Sequence, residues 1–256
     1  MTKLTRLRIH ICPIGYEVDR IVLAVEKLRA DRVWLIVEGN PRKEKANKFI
    51  QLAESRLKDL GVEVKRQGVD RNDLFDNLRA IKEIIIEEND NEILVNVSAG
   101  SKIQAIAGMM ACMLFKKEYE PKPYYVEPTS RDKPPKEQLT SGISEIIPLR
   151  NYEIKKPNDE LVKALKIIKE NGGKLSKKNM MKLAADEGIL ELAKGKNGNI
   201  MKSDYLRLDT RIIKPLKEWH YINSKRVGKE FRITITPEGE DVLKFLSPYY
   251  PDGLVD

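Results

Sequence analysis

Five short runs rich in valine, isoleucine and tyrosine recur through the first half of the chain, at residues 7–12, 32–37, 62–65, 93–97 and 123–126. Helical patterns separate them. Val18, Ile21, Val22, Val25 and Leu28 return at spacings of three and four; Leu52, Leu57 and Leu60 follow the second run; Leu74, Leu78, Ile81 and Ile85 follow the third. Strands joined through a helix run parallel, because the connection brings the chain back to the end it left, and a parallel sheet needs cover on both faces. The crossovers are right-handed. Residues 1–150 are therefore expected to form an α/β domain with a Rossmann-like, mostly parallel sheet, and 143–149 to add a last edge strand. The fourth helix, 103–115, is apolar nearly all round, which predicts burial on more than one side, in the core or against another subunit.

Ligands of such sheets bind beyond the carboxyl ends of the strands. The candidate floor is then 13–17, 38–41, 67–71, 98–102 and 127–131. The most informative of these follows the apolar run of 93–97: Ser98, Ala99, Gly100, Ser101 and Lys102 open a helix. This turn offers two hydroxyls, a glycine backbone that a ligand can approach, the free N–H groups of a helix start and an ammonium, all suited to phosphate. A turn that merely caps its helix would use the same residue types. The first strand ends in a comparable loop, Pro13, Ile14, Gly15, Tyr16 and Glu17. A complete phosphate loop is absent, since position 95 is Val95 rather than glycine, and Gly15 stands alone where dinucleotide binders carry three glycines. Triphosphatase, nicotinamide and flavin chemistries lose their support.

Catalytic and metal chemistry is equally thin. His10 and His220 are the only histidines, one inside a strand pattern and one after Trp219, and both read as structural. No Cys/His spacing builds a metal site, and no cofactor is expected. Cys12 and Cys112 read as buried thiols, and Glu17 and Arg20 as a surface ion pair. Nowhere do 18 apolar residues run together, so a cytoplasmic protein with no membrane partner is expected.

Residues 151–256 differ in character. They carry 21 Lys/Arg against 16 Asp/Glu, with 20 against 11 packed into 151–233, a density suited to a nucleic-acid partner, although a charged thermophile-like surface would look similar. Asn158 caps a helix bearing Leu161, Leu165 and Ile168 that stops at Gly172 and Gly173; Ser176 caps a second with Met180, Met181 and Ala184 inward. About 14 residues, including 195–199, lead to a third helix from Ser203 and Asp204. That connection is longer than a tight helix-turn-helix allows. On the third helix Tyr205, Leu208, Ile212, Leu216 and Trp219 form one stripe while Arg207, Arg211 and Lys214 share another face. Pro215 is expected to kink or break it. Tyr221 and Ile222, a turn at 226–229 and residues 231–236 read as a β-hairpin wing, and 237–246 as a last helix. The predicted double-stranded DNA contacts are Lys177, Lys178, Lys202, Ser203, Arg207, Arg211, Lys214, Lys225, Arg226, Lys229 and Arg232.

Asn96, Val97, Ser98, Ala99, Gly100, Ser101 and Lys102 resemble the signature turn of CARF domains, the CRISPR-associated Rossmann-fold sensors, whose common form is Asn-x-Thr-Gly-Gly-Thr-Lys. The pattern Pro13-x-Gly15-x-Glu17-x-x-Arg20 resembles an archaeal branch of CARF-like proteins fused to a winged helix-turn-helix. Ser98, Ala99 and Ser101 stand where that form has Thr, Gly and Thr. The resemblance implies a homodimer whose paired loops cradle a cyclic oligoadenylate through Pro13, Ile14, Gly15, Tyr16 and Ser98 to Lys102, and a transcription regulator that reads a pseudo-palindromic operator. Cleavage of the ring in the same pocket is the alternative, and another phosphorylated metabolite would suit the same groups. The Arg-x4-6-His motif of ribonuclease members is absent at both histidines.

Overall fold

The computed structural model describes residues 5–131, 138–192, 201–228 and 230–247. The chain divides into two compact units, Met1–Lys155 and Lys156–Asp256. In the first, the element order is β1 (Arg8–Pro13), α1 (Asp19–Leu28), β2 (Arg32–Glu38), α2 (Asn47–Asp59), β3 (Glu63–Val69), α3 (Leu74–Glu87), β4 (Glu92–Asn96), α4 (Lys102–Leu114), α5 (Lys116–Tyr119), β5 (Lys122–Glu127), β6 (Ser130–Arg131), β7 (Thr140–Ser141) and β8 (Glu145–Pro148). The main sheet runs β3-β2-β1-β4-β5-β8. Its first five strands are parallel, and β8 closes the edge antiparallel to β5.

Alternation along β4 decides which helix covers which face. A Cβ built on Gly108 of α4 would come within 3.2 Å of Val95 and Val97, whereas Asn96, pointing the other way, donates to the Arg20 carbonyl of α1 at 3.0 Å. Helices α1 and α4 therefore lie on opposite faces. Under α1 and α2 the core joins Cys12, Ile14, Val18, Ile21, Val25, Val33, Leu35, Ile50 and Leu57. Two expected core residues are missing from it, since Leu52 and Leu60 are exposed and α2 buries Ile50, Ala53 and Leu57 instead. The edge strand β3 is longer than its apolar run because Lys65, Arg66 and Gln67, which face partly into solvent, continue the ladder with β2. Charged side chains on an open edge discourage further strands from adding there.

The apolar helix α4 is not buried all round. Ala107, Ala111, Cys112 and Leu114 are inward, but Ile106 is 54% exposed, with Ile103, Met110 and Met113 half-buried along the same stripe. At the amino-terminal end of the sheet, Glu88 is buried and accepts from Arg32 (2.7 and 2.9 Å), Trp34 Nε1 (2.9 Å) and Asn91 (2.7 Å). Burial pushes its pKa up, but these bonds outweigh that and hold it below the usual carboxylate value.

The second unit runs α6 (Asp159–Glu170), β9 (Lys174–Ser176), α7 (Lys177–Asp186), α8 (Lys202–Leu208), a π-helical turn (Asp209–Ile213), α9 (Lys214–Glu218), β10 (Ile222–Val227), β11 (Glu230–Ile235) and α10 (Pro237–Leu246). A three-stranded sheet orders as β10-β11-β9, all antiparallel. Strand β9 escapes sequence reading because only Leu175 of its three residues is apolar. One core unites Leu165, Ile168, Met180, Met181, Leu208, Ile212, Leu216, Ile222, Ile233 and Leu243. Pro215 does not break the third helix. A π turn precedes it, with the Lys214 N–H bonded to the Asp209 carbonyl, and Pro215 then sits in the first turn of α9, where a missing N–H does least harm.

Candidate functional site

The loops after β1 and β4 lead to helices on opposite faces, so the place where such a sheet forms its ligand crevice falls between them, at the carboxyl ends of adjacent strands. They meet backbone to backbone. A Cβ on Gly15 would lie 3.4 Å from the Gly100 Cα, and one on Gly100 would come within 2.7 Å of both Pro13 Cβ and Gln104 Oε1. Gly100 also has φ +78°, so conformation and space both demand glycine there. Pro13, Ile14 and Gly15 are buried, as is Ala99, which joins Cys12 and Ile14 in the core. What this part of the site presents to a ligand is main chain.

The two hydroxyls of the turn are engaged. Ser98 donates to Asn96 Oδ1 through both its N–H (2.9 Å) and its hydroxyl. Ser101 caps α4 in a reciprocal box, its oxygen accepting from the Gln104 N–H (3.2 Å) while its own N–H reaches Gln104 Oε1 (2.9 Å). Its hydroxyl also donates to the Arg71 carbonyl at 3.4 Å. The groups left for a ligand are the N–H groups of Lys102 and Ile103, which have no acceptor inside the helix, and the exposed Lys102 ammonium. The first turn of α4 holds no acidic residue, and a lysine there has the wrong sign for the helix dipole. An anion would correct it.

Sequence reasoning placed residues 67–71 on the floor but gave Arg71 no role. Its guanidinium donates to the Ile14 carbonyl (3.2 Å) and to Glu44 (3.0 Å), while its main-chain N–H meets Glu38 at 3.3 Å. Arg71 thus ties the ends of β1, β2, β3 and β4 together. Tyr16 packs edge-on against Phe49 with ring centroids 5.2 Å apart. The Glu17–Arg20 pair is not on the surface: at 3.0 Å its side chains are only 15% and 7% exposed, and Arg20 also donates to the Val126 carbonyl and lies 4.8 Å above the Tyr125 ring. Asp19, at the start of α1, accepts from Arg56 (2.6 Å), Gln138 and Gly142 (both 2.9 Å), so it pins the residues on both sides of β7 to the start of α1. Burial pushes its pKa up, but these donors outweigh burial and hold it low.

Beneath the crevice lies a buried polar cluster. His10 Nδ1 is 2.8 Å from the Tyr124 hydroxyl, and burial, aided by Arg8, pushes its pKa down to about 3. Burial pushes the Cys12 thiol up to about 12 and the Cys112 thiol up as well. None of these groups reaches solvent. Among the described residues, no group of histidine, cysteine and carboxylate side chains is placed to hold a metal, and no helix is long and apolar enough to cross a membrane.

In the second unit the expected DNA contacts fall on several surfaces. Arg211 makes a bidentate pair with Glu160 of α6 at 2.7 and 2.9 Å, and Arg207 donates to the Glu191 carbonyl at 3.2 Å. Lys214 lies 3.9 Å from Glu218. Lys202 and Ser203 are exposed at the start of α8. On the hairpin, Lys225 pairs across from Arg232 and Arg226 across from Phe231, so alternation puts the first two on one face and the other two on the opposite face. Lys229 lies outside the described residues. Lys177 is enclosed: it pairs with Asp209 and sits over the rings of Tyr205 (5.7 Å) and Phe231 (5.6 Å).

Helix, strand, helix, helix and a two-stranded hairpin in this order, around one core, is the arrangement of a winged helix, and residues 160–247 match the family model described as the DUF6293 C-terminal winged helix domain. The second unit is a winged helix domain. Residues 8–131 match a model described as HFX_2341_N-like, N-terminal. The uncharacterized protein MJ1513 of Methanocaldococcus jannaschii is 29% identical over 191 residues, which cover 65% of this chain and 57% of that protein. Among solved structures, Enterococcus italicus Csm6 bound to cyclic hexa-2'-fluoro-hexa-dAMP matches with 14% identity and a TM-score of 0.41, over 84% of this chain and 56% of that one. Can2 from Sulfobacillus thermosulfidooxidans in complex with cyclic tetra-adenylate matches with 16% identity and a TM-score of 0.38, over 93% of this chain and 63% of that one. The chain thus spans less than two thirds of each of these relatives.

Proposed function

We propose that the protein is a ligand-responsive DNA-binding regulator, with an anionic nucleotide held at the β1–β4 crevice and double-stranded DNA held by the winged helix domain. The observation that carries the first half is the close approach of Gly15 to Gly100 beside an α4 start whose first turn bears Lys102 and no carboxylate. That surface suits a phosphodiester, which accepts main-chain N–H bonds and needs little side-chain bulk around it. The cyclic oligoadenylate is named from the resemblance of residues 96–102 to the CARF turn. A symmetric ring suits a homodimer, and the half-exposed stripe of Ile103, Ile106, Met110 and Met113 on α4 supports a second copy as its cover. Ring cleavage gains no support, because the Ser98 and Ser101 hydroxyls are both committed to the turn.

The division into 1–150 for sensing and dimerisation and 151–256 for DNA belongs to the same proposal. The ligand regulates only if it binds one arrangement of the dimer more tightly than another. Calorimetric titration with cyclic tri-, tetra- and hexa-adenylate, with and without duplex DNA, tests it. The expected result is one ring per dimer and a DNA affinity that changes when the ring is bound. Absence of binding by every ring would remove the oligoadenylate, and unchanged DNA affinity would remove the regulation.

A further inference from the structure

The winged helix domain presents two basic surfaces on either side of its third helix, and they differ in what neutralises them. On the α6 side, Arg211 is held in bidentate fashion by Glu160, and Arg207 is directed to the Glu191 carbonyl. On the hairpin side a groove of about 700 Å³ lies between α7, Tyr205 of α8 and Phe231 of β11. Lys177, Lys178 and Lys182 line it, with Glu230 as the one carboxylate of its wall. Lys178 and Lys182 are exposed and have no ion-pair partner among the described residues. Lys177 is different, because Asp209, at the first position of the π turn, already pairs with it.

We propose that the hairpin-side groove, rather than the Arg207 and Arg211 face, receives the sugar-phosphate backbone of DNA, with Asp209 as an internal competitor that weakens the contact. This rests on the reading of the winged helix domain as a DNA binder and assigns the face it uses. Lys178 and Lys182 stand one helical turn apart, at i and i+4 on α7, a separation that lets them meet neighbouring phosphates. Phe231, 39% exposed, and Tyr205 form the walls that hold the Lys177 ammonium between α7 and the third helix. A phosphate entering the groove meets a Lys177 that Asp209 already neutralises, with Glu230 on the wall, so part of the attraction is offset. Asp209 is a positioning residue that keeps affinity low and dependent on geometry.

The test is the affinity of the full-length protein for a random-sequence duplex across about 50 to 200 mM salt, where each phosphate contact contributes about −0.9 to the slope of log K against log salt. K178A/K182A is expected to weaken binding about tenfold or more and to make the slope shallower by about 2. D209N is expected to tighten binding several-fold and to steepen the slope, which a merely structural role for the Lys177–Asp209 pair would not do. If R207A/R211A removes the affinity while K178A/K182A and D209N leave it unchanged, the face is wrong and the DNA-binding function stands. If the unsubstituted protein binds no duplex at any salt in this range, both are overturned.

Discussion

The crevice of the first unit and the groove of the second are built from opposite materials. Around Gly15 and Gly100 nearly every polar side chain that resembles a ligand contact is already used to shape the loop: Ser98 by Asn96, Ser101 by Gln104 and Arg71 by Ile14 and Glu44. In the groove of the winged helix domain, two of three lysines remain exposed and unshared. In the proposed function, recognition at the first site rests on shape and main chain, so it fails when the geometry fails, whereas recognition at the second rests on charge, so it changes by degrees and with salt.

The sharpest way to break this contrast is Gly100→Val. A β-branched residue at φ +78°, with its Cβ 2.7 Å from Pro13 Cβ, combines left-handed strain with overpacking, at about 2–5 kcal/mol together. Denaturant unfolding followed at Trp34 in a Trp219→Phe background isolates the first unit, because these are the only two tryptophans and each unit holds one. Loss of ligand binding with duplex affinity intact is expected. Unimpaired ligand binding would show that the close approach of the loops is not part of recognition.

Acid should separate the units next. His10 is neutral when folded, with its pKa pushed down to about 3 from 6.5, so the unfolded chain binds the proton first. Stability is therefore fully present above pH 6.5 and falls as pH drops from there toward 3, by about 2 kcal/mol at pH 5. Asp19 and Glu88, whose pKa values are lowered, add to the loss only below the usual carboxylate range. The same Trp34 readout should show a midpoint that declines between pH 6.5 and 5 and flattens in His10→Gln. A decline that persists in that variant would place the sensitive group elsewhere.

Much of this architecture was legible in the sequence, and the gaps have physical causes. The alternation of apolar runs and helical stripes located five parallel strands, because two-sided burial leaves continuous Val and Ile in the text. Strand β9 left no such mark, with Leu175 its one buried residue. Leu52 and Leu60 read as core because periodicity records hydrophobicity, while Ile50, Ala53 and Leu57 actually face the sheet. At the crevice, Gly15 and Gly100 stood out in the sequence as glycines beside a ligand, whereas in the structure it is each other that they approach. The role of Arg71 was not legible, since its partners Ile14 and Glu44 lie 57 and 27 residues away and meet it only through the strand order. The Arg211–Glu160 pair, 51 residues apart, was hidden in the same way.

Lys102→Ala should give a smaller effect than the loop substitution, because it removes charge without altering shape. A charge-assisted contact to phosphate is worth about 1.5–3 kcal/mol when fully formed, and solvent around an exposed lysine reduces it, so about a tenfold loss of ring affinity is expected. The folding midpoint should stay unchanged. A larger loss than that of Gly100→Val would mean that the crevice, like the groove, recognises mainly by charge.

The smallest expected effect tests whether the α6 face is as quiet as its geometry implies. Arg211 and Glu160 have side chains 51% and 43% exposed, so solvent screens their attraction even though the pair is bidentate. A double-mutant cycle of Arg211→Ala and Glu160→Gln, read by unfolding at Trp219, should return a coupling of about 0.2–1 kcal/mol. Glu160→Gln is the more informative single change, since it frees the guanidinium while leaving its size and position. If this face meets DNA, the freed Arg211 adds a phosphate or base contact and duplex affinity rises with a steeper salt slope. If the hairpin side carries the contact, the substitution changes stability by a few tenths of a kcal/mol and the slope stays where it was.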